Sequence, residues 1–323
     1  MTEKKCFVIY NKPGRNALAD ELDVLNQADE IKKALGSLGI TTYTKAITGD
    51  FMNEIESLAS EKPDFVFNLV ESINNKGELC YFIPALLNMH SIPYSGNTVE
   101  ALFITTSKIL TGKFLRRAGI QTPESYSPSQ YEKLKTGKRY IIKPVWEDGS
   151  SGITQDSVFT WSQGNIKRLQ DFDDSHWLIE EYIDGREFNI SVLAGEKGPE
   201  VLPLAEIVFQ NFGEDMPRIV DFKAKWIEDS FEYKNTVRCF PDNDIAPELM
   251  KKIYTMALEC WSIFGLKGYA RIDMRVDNND IPYVIEVNAN PCISPDSGFI
   301  AASKKAGLEY TDLVKRIIND MNS

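Results

Sequence analysis

The first hundred residues combine two hydrophobic periods. Between residues 22 and 38, leucine, alanine and isoleucine recur at spacings of three and four, which predicts an amphipathic helix. Further helices are predicted around residues 51–60 and 79–89. Short apolar runs predict strands at residues 6–10, 40–44 and 64–68. Strands that alternate with helices predict an open parallel sheet, whose ligands bind beyond the carboxyl ends of the strands.

The pattern changes after about residue 97. The predicted elements are a helix through Lys108 that ends near Gly119, strands at 140–143, 153–159 and 177–183, antiparallel strands beyond them, and a helix at 247–264. We therefore expect an α/β chain with an α+β part. The predicted domains are 1–97, 98–178 and 179–323, the last with a long polar connection at about 209–236.

Composition excludes several classes of protein. The 323 residues include 36 Lys+Arg and 47 Asp+Glu, a formal net charge of −11, which argues against a duplex-DNA binder. No run approaches the roughly 18 apolar residues of a membrane span. The two histidines, His90 and His176, cannot supply a three-histidine zinc site. Five scattered cysteines indicate a reduced, cytoplasmic protein rather than a disulfide framework.

Two strand-like runs, 268–277 and 280–288, flank the polar turn 278–279 and predict a β-hairpin. A two-residue turn places Arg271 opposite Glu286. Because side chains alternate between the two faces of a strand, one face is polar and the other apolar. The predicted core face is Ile272, Met274, Val276, Tyr283, Ile285 and Val287.

The polar face of the hairpin predicts a metal site. Asp273, Glu286 and Asn288 offer two carboxylates and an amide oxygen, which suit Mg²⁺ bound to nucleotide phosphates. The alternative is a solvated face on which Arg271 and Glu286 form an ordinary ion pair. The abrupt turn at 289–292, which exposes backbone amides, favours the metal site.

Two other stretches suggest contacts with phosphate. Lys143 ends a strand, and in the loop 147–152 that follows, glycine and serine let backbone N–H groups approach a phosphate. An ordinary turn is the alternative. The polar stretch 210–235 is either an exposed loop or a lid whose Lys225 reaches a transferring phosphate.

These motifs occur together in an order that resembles the D-alanine–D-alanine ligases of the ATP-grasp superfamily. The resemblance covers nearly the whole chain and is strongest from about 139 to 300. It implies an ATP-grasp fold, in which an N-terminal open parallel α/β sheet precedes two domains that sandwich ATP. It also implies two Mg²⁺ ions, with Mn²⁺ as an alternative, held by Asp273, Glu286 and Asn288.

The resemblance implies further roles. Arg271, Lys225 and Ser150 would be catalytic. The nucleotide would be bound by Lys108, Lys143, Gly149, Ser151, Glu180, Glu181, Tyr182, Ile183, Glu187, Lys225 and Asn288.

The implied activity is an ATP- and Mg²⁺-dependent carboxylate–amine ligase. The γ-phosphoryl group passes to a substrate carboxylate, and an amine then attacks the acyl phosphate. The substrates would be small amino acids, as in peptidoglycan biosynthesis, and the enzyme a cytoplasmic homodimer without nucleic-acid or membrane partners. Two alternatives stay open: an ATP-grasp ligase for a different amino acid or amine, and a non-catalytic nucleotide-binding or sensing protein.

The sequence departs from the family where the amino acids would bind. The family's His-Gly pair is absent beside Glu71, and its first-loop acid has only Glu21 and Asp23 as counterparts. A lid tyrosine is Trp226, the glycine of a Pro-Gly turn is Cys292, and a leucine after Ser297 is Gly298. Cys292 is either a nucleophile or a replaced turn residue. The candidate substrate-binding residues are Asp23, Glu71, Trp226, Arg271, Cys292 and Ser297.

Overall fold

The structure is a computed structural model that describes residues 4–14, 17, 19–147, 149–241 and 244–322, without the side chains of 19–21 and 322. Its N-terminal part alternates strands and helices. They are β1 (Lys5–Asn11), α1 (Ala19–Ser37), β2 (Thr41–Ile47), α2 (Phe51–Ser60), β3 (Phe65–Leu69) and α3 (Phe82–Met89). The strands form a parallel sheet in the order β2-β1-β3, as predicted. Apolar residues of β1 and β3 are buried on both faces, as parallel strands require.

Helix α1 differs in part from its predicted apolar face. Ala28, Ile31 and Leu35 are buried against the sheet, but Leu22 is 46% exposed and Leu25 is 38% exposed. The first turns of α1 border an open cleft, into which Val24 faces. The predicted helix is therefore confirmed, but its predicted apolar face is exposed to solvent at Leu22 and Leu25.

The central part contains two successive helices and a four-stranded sheet. The predicted single helix through Lys108 is divided at Ser107, whose extended backbone and side-chain cap start a new helix. The elements are α4 (Val99–Thr106), α5 (Lys108–Arg117), β4 (Ser125–Tyr126), β5 (Arg139–Pro144), β6 (Val158–Thr160), α6 (Ile166–Leu169) and β7 (Trp177–Glu181). The antiparallel sheet has the order β4-β7-β5-β6. The strand predicted at 153–159 is shorter, because 155–157 form a 3₁₀ turn.

The C-terminal part is a larger antiparallel sheet with helices. The elements are β8 (Arg186–Leu193), β9 (Glu200–Val201), β10 (Ala205–Phe209), α7 (Phe222–Trp226), α8 (Phe231–Asn235), β11 (Thr236–Cys239), α9 (Pro247–Ile263), β12 (Tyr269–Val276), β13 (Pro282–Asn288), α10 (Gly298–Lys305) and α11 (Tyr310–Asn319). The strand order is β11-β10-β8-β12-β13, with β9 paired to β8. Apolar side chains of β8, β12 and α9 share the largest core.

The β12–β13 hairpin forms as predicted, but its register is different. Arg271 pairs with Asn288 rather than with Glu286, and Asp273 pairs with Glu286. The turn is longer than two residues, because Asp277 Oδ1 accepts hydrogen bonds of 2.9 Å from the amides of Asn279 and Ile281.

An irregularity in the same hairpin changes the core face. The register shifts between Asp273 and Met274, so Val284 is fully buried. Tyr283 and Ile285, which were predicted for the core, are only half-buried. A bulge of this kind adds one residue to a strand. The side chains on its two sides therefore differ in which of them face the core and which face the cleft.

The predicted domain limits stay a prediction. Strand β7 crosses the limit at 178/179, since Trp177–Glu181 pairs along its length with β5 of the central sheet. In the part of the chain that the structure describes, no helix is long and apolar enough to cross a membrane.

Candidate active site

The three sheets border one cleft of about 2000 Å³. Its walls come from the carboxyl ends of β1 and β3, from β5 and β7, and from the hairpin β12–β13. Every residue that the sequence analysis assigned to the nucleotide, metal, catalytic or amino-acid site lines this cleft. The fold therefore brings together residues that are up to 274 positions apart, from Asp23 to Ser297.

Two carboxylates face each other in the cleft. Asp273 on β12 lies directly opposite Glu286 on β13. Arg271 Nε and Nη2 each donate a hydrogen bond of 2.8 Å to Asp273, and Asn189 Nδ2 donates another of 2.8 Å. These donors compensate the charge of Asp273, which is only 5% exposed.

Asn288 adds an amide oxygen to this carboxylate pair. Its Oδ1 accepts one hydrogen bond of 3.0 Å from the Asn290 amide and keeps a second lone pair. Among the described residues, no three His, Cys, Asp or Glu side chains lie together as a possible metal site. The donor set is thus two carboxylates and an amide. Such an oxygen-only set fits Mg²⁺, which completes its shell with water and substrate phosphates.

Two buried lysines lie near the carboxylates. Lys143 Nζ is 2.5 Å from Glu180 Oε2, and both side chains are almost fully buried. Lys108 Nζ donates a hydrogen bond of 2.5 Å to the Glu147 carbonyl and lies 3.4 Å from Glu286 Oε1. A buried ammonium group needs a compensating charge, and each lysine has a carboxylate that provides it. Both cations are therefore held in place by protein groups.

At the far end of the cleft, Glu187 is buried beside an arginine that the sequence analysis missed. Arg275 Nη1 lies 3.0 Å from Glu187 Oε2. Burial raises the pKa of Glu187, and the charge of Arg275 lowers it again. Two guanidinium groups contact the Tyr182 ring, that of Arg139 at 4.5 Å and that of Arg275 at 5.2 Å from its centroid.

The loop 149–152 has three residues in the left-handed region of backbone conformation, of which only Ser150 is strained. Gly149, Ser150 and Gly152 have φ values of 67°, 65° and 73°. This left-handed region is costly for serine. At Gly152 a Cβ would lie 2.9 Å from Pro144 Cγ, so only glycine fits.

The connection between β10 and β11, for which the sequence left open an exposed loop or a lid, contacts the glycine loop. Ser150 Oγ donates a hydrogen bond of 2.6 Å to the Val220 carbonyl. Trp226 Nε1 donates one of 3.1 Å to the Gly149 carbonyl. The connection contains two short helices, α7 and α8, where the sequence suggested only polar loop.

Asp221 anchors the lid from within. It is 1% exposed, caps α7 through the Ala224 amide at 2.9 Å, and accepts a hydrogen bond of 3.3 Å from Gln155 Nε2. Burial raises the pKa of this carboxyl group. Lys225 follows on α7 and faces the cleft. The connection therefore places Lys225 at the wall of the cleft, where its charge acts on Glu187.

The end of the cleft at which the sequence analysis expected amino acids to bind is built around Cys292. Its Sγ donates a hydrogen bond of 3.1 Å to Asp23 Oδ2 and lies 3.0 Å from Ser294 Oγ. Burial, and next the charge of Asp23, raise the pKa of the Cys292 thiol to about 12. A neutral thiol is a poor nucleophile, so these contacts favour the interpretation of Cys292 as a turn residue. The side chain of Glu21 lies outside the described residues.

Glu71 and Ser297 complete this end of the cleft. The Glu71 amide donates a hydrogen bond of 2.8 Å to Asn11 Oδ1, which organises the turn after β3. Ser297 caps α10, since its Oγ accepts a hydrogen bond of 3.3 Å from the Ile300 amide.

Comparison with known proteins shows the family to which this chain is related. Residues 113–319 match the family model described as the D-ala D-ala ligase C-terminus. The D-alanine–D-alanine ligase of Carboxydothermus hydrogenoformans is 32% identical over 315 residues, covering 93% of this chain and 94% of the relative. The chain belongs to the D-alanine–D-alanine ligase family.

Two further relatives show the extent of the likeness. An uncharacterized protein, y4sG of Sinorhizobium fredii, is 26% identical over 303 residues, covering 90% of this chain and 86% of that protein. The crystal structure of the D-alanine–D-alanine ligase from Bacillus anthracis complexed with ATP superposes with a TM-score of 0.74 at 21% identity, over 99% of this chain and 97% of that one. The ATP-grasp fold expected from the sequence is therefore confirmed.

The sequence analysis missed several polar residues that line this cleft. Asn189 on β8 and Arg275 on β12 lie on buried strands, beside Asp273 and Glu187. Polar residues at alternate positions of two otherwise apolar strands were the available signal. Arg238 lines the amino-acid end of the cleft, and no pattern in its own strand marks it.

Proposed function

We propose that this chain is an ATP- and Mg²⁺-dependent ligase that joins the carboxylate of one small amino acid to the amino group of another, in the manner of a D-alanine–D-alanine ligase. The observation that carries the proposal is the position of Lys108. Its ammonium group lies 3.4 Å from Glu286, which faces Asp273, and is fixed at 2.5 Å by the Glu147 carbonyl. A phosphate-binding cation thus adjoins a pair of metal-binding carboxylates.

Nucleotide binding is assigned to the central sheet and the lid. The end of β7, from Glu180 to Ile183, would line the adenine slot, and Glu187 would bind the ribose. Lys108 and Lys143 would exchange their carboxylate partners for phosphate oxygens. Gly149 and Ser151 would offer backbone amides to the phosphates, and the lid would bring Lys225 to the γ-phosphate.

Asp273, Glu286 and Asn288 would hold Mg²⁺. When bound, the ions neutralise the phosphate charge that builds up during transfer. Arg271 is fixed on Asp273 by two hydrogen bonds of 2.8 Å and would lie beside the substrate carboxylate.

The proposed reaction has two steps. A carboxylate oxygen of the first amino acid attacks the γ-phosphorus, and ADP leaves. The amine of the second amino acid attacks the acyl carbon, and the C–O bond to phosphate breaks. Arg271 and backbone amides near Cys292 would stabilise the oxyanion. Ser150 would hold the lid closed, which keeps water from the acyl phosphate.

The cellular setting follows from the same proposal. Small amino acids joined in this way suit peptidoglycan biosynthesis, carried out by a cytoplasmic homodimer. The five cysteines are free thiols, which agrees with a reducing compartment.

Phosphate release tests the proposal. The protein is mixed with Mg·ATP and with pairs drawn from the D and L forms of alanine, serine, aspartate and glutamate. Amino-acid-dependent phosphate release with a dipeptide mass in the product is expected. Tight Mg·ATP binding without turnover on any pair would instead support a nucleotide sensor.

A further inference from the structure

Arg275 is a buried arginine on β12, at the end of the cleft where the ribose of the nucleotide would bind. Its backbone pairs with that of Glu187 on β8, so the register of the sheet sets the two side chains side by side. The side chain is only 4% exposed, and Nη1 donates a hydrogen bond of 3.0 Å to Glu187 Oε2. Both residues line the cleft, so the ion pair is part of its wall.

Two backbone carbonyls fix the guanidinium group from other directions. Nη1 also donates a hydrogen bond of 2.6 Å to the Arg218 carbonyl, and Nη2 donates one of 3.0 Å to the Gly185 carbonyl. Gly185 has φ of 143°, and a Cβ there would collide with the Val276 carbonyl oxygen, so only glycine allows this close approach. Three segments thus hold Arg275: the first residues of β8, the turn before them, and the connection between β10 and β11.

Stability alone does not account for an arginine at this position. Among the described residues, Arg275 Nε is buried and has no hydrogen-bond partner. A buried donor without an acceptor is destabilising, and the burial of two charges adds a cost of its own. Apolar side chains of similar volume would fill the same space without either cost. The pair is therefore explained better by what Arg275 does to Glu187.

Arg275 acts on both the charge and the orientation of Glu187. Burial raises the pKa of Glu187 and favours the neutral acid, and the charge of Arg275 opposes this effect. Oε2 is held by Arg275, whereas in the described part of the chain Oε1 accepts no hydrogen bond. One oxygen of an ionised carboxylate is thus left for a ligand in the cleft. An ionised acceptor makes stronger hydrogen bonds with hydroxyl groups than a neutral one does.

We infer that Arg275 is a positioning residue for the nucleotide, because it orients Glu187 as the hydrogen-bond acceptor for the ribose hydroxyl groups. The preference for a ribonucleotide over a deoxyribonucleotide then depends on Arg275, although Arg275 itself need not touch the sugar. This inference rests on the proposed function only in taking Mg·ATP as the ligand.

The test measures nucleotide binding without turnover. Dissociation constants of Mg·ATP, Mg·2′-deoxyATP and Mg·3′-deoxyATP are determined by calorimetry in the absence of amino acids. The wild-type chain should bind ATP about 10- to 100-fold more tightly than at least one of the deoxynucleotides, the effect of a hydrogen bond to a charged group. Arg275→Met keeps the length of the side chain and removes its charge. This variant should lower the preference to less than about threefold.

Three further variants make the result specific. Glu187→Gln should lose the preference to the same extent, and the double variant Arg275→Met/Glu187→Gln should lose no more than either single variant. Arg275→Lys, which keeps the charge, should retain part of the preference. If Arg275→Met does not fold, as judged by thermal unfolding, Arg275→Lys with an intermediate preference carries the comparison.

Arg186→Met is the matched control for the loss of an ion pair. Arg186 Nε and Nη2 donate hydrogen bonds of 2.7 Å to Glu206 in the same sheet, and neither residue lines the cleft. This variant should lower the melting temperature and leave the preference for ATP over the deoxynucleotides unchanged.

Three outcomes would count against the proposals. A full preference for ATP in folded Arg275→Met would make Arg275 a purely structural residue and overturn the inference. Equal binding of ATP and both deoxynucleotides by the wild-type chain would also overturn it, and in both cases the ligase function stands. Absence of Mg·ATP binding by the folded wild-type chain would overturn the ligase function itself, and the inference with it.

Discussion

Asp273 lies directly opposite Glu286 across the β12–β13 hairpin, and Lys108 Nζ lies 3.4 Å from the second of these carboxylates. Under the proposed function, the two carboxylates would bind metal and the ammonium group of Lys108 would bind phosphate.

Replacement of Glu286 by glutamine should abolish most turnover and leave the fold intact. Loss of one metal-binding charge removes several kcal/mol of transition-state stabilisation, so kcat should fall more than about 100-fold. The side chain is partly exposed, so the melting temperature should change little. Phosphate release against Mg²⁺ concentration measures the effect, and Glu259→Gln on the exposed face of α9 is the control. Near-normal turnover would remove Glu286 from the metal site.

The contact between the lid and the glycine loop should be measurable by substitution. Trp226→Phe removes the hydrogen bond of 3.1 Å to the Gly149 carbonyl, and Ser150→Ala removes that of 2.6 Å to the Val220 carbonyl. Each bond contributes about 1 kcal/mol, so each change should weaken lid closure about fivefold. Hydrogen exchange of the amides at 220–226 should speed up in both variants. Unchanged exchange would mean that other contacts keep the lid closed.

Cys292 should resist alkylation. Its pKa is raised from 9.0 to about 12, so its thiolate fraction at pH 8 is about a thousandfold below that of an ordinary thiol. Mass spectrometry after iodoacetamide treatment should show much slower labelling of Cys292 in the native chain than in the chain unfolded in urea. Rapid labelling in the native chain, with loss of activity, would restore Cys292 as a candidate nucleophile.

The same shift predicts how stability depends on pH. The folded thiol holds its proton more tightly than the unfolded one, so its contribution to stability is complete below pH 9.0 and is lost as the pH rises toward about 12. The free energy of unfolding should fall over that range, and Cys292→Ala should fall less steeply. Parallel curves for the two proteins would show that the thiol is not shifted.

The hairpin turn should depend on Asp277. Asp277→Ala removes two hydrogen bonds of 2.9 Å to the amides of Asn279 and Ile281, and should lower the free energy of unfolding by about 1–2 kcal/mol. Asp280 has φ of 56°, so Asp280→Gly should not destabilise the chain. Urea unfolding compares the two variants. A larger loss in Asp280→Gly would contradict this account of the turn.

The sequence predicted the fold wherever local pattern and tertiary packing agree. Helix α2 has the predicted bounds Phe51–Ser60, because its apolar residues face the sheet in the ordinary way. The hairpin register was wrong because Asp277 closes a longer turn and a bulge follows at Asp273, and neither feature has a strong local signal. Leu22 and Leu25 belong to the predicted apolar stripe of α1 but are exposed, because a helical period does not show whether the fold covers that stripe along its whole length.

The residues of the candidate site also differ in whether the sequence could reveal them. Residues that carry motif chemistry, such as Lys143 and Asp273, were found from sequence and family resemblance together. Asn189 and Arg275 were missed, because the alternating polar positions of their strands do not show that Asp273 and Glu187 lie beside them on neighbouring strands. Arg238 was missed because its own strand carries no such pattern.

Oxygen transfer tests the central claim most directly. The amino acid that stimulates phosphate release is supplied with both carboxylate oxygens labelled as ¹⁸O, together with Mg·ATP and the amine donor, and the phosphate product is analysed by mass. The acyl-phosphate reaction predicts one ¹⁸O in each inorganic phosphate and one retained in the new amide. Phosphate without ¹⁸O would show that water, and not the carboxylate, attacks ATP, and would contradict the proposed ligase mechanism.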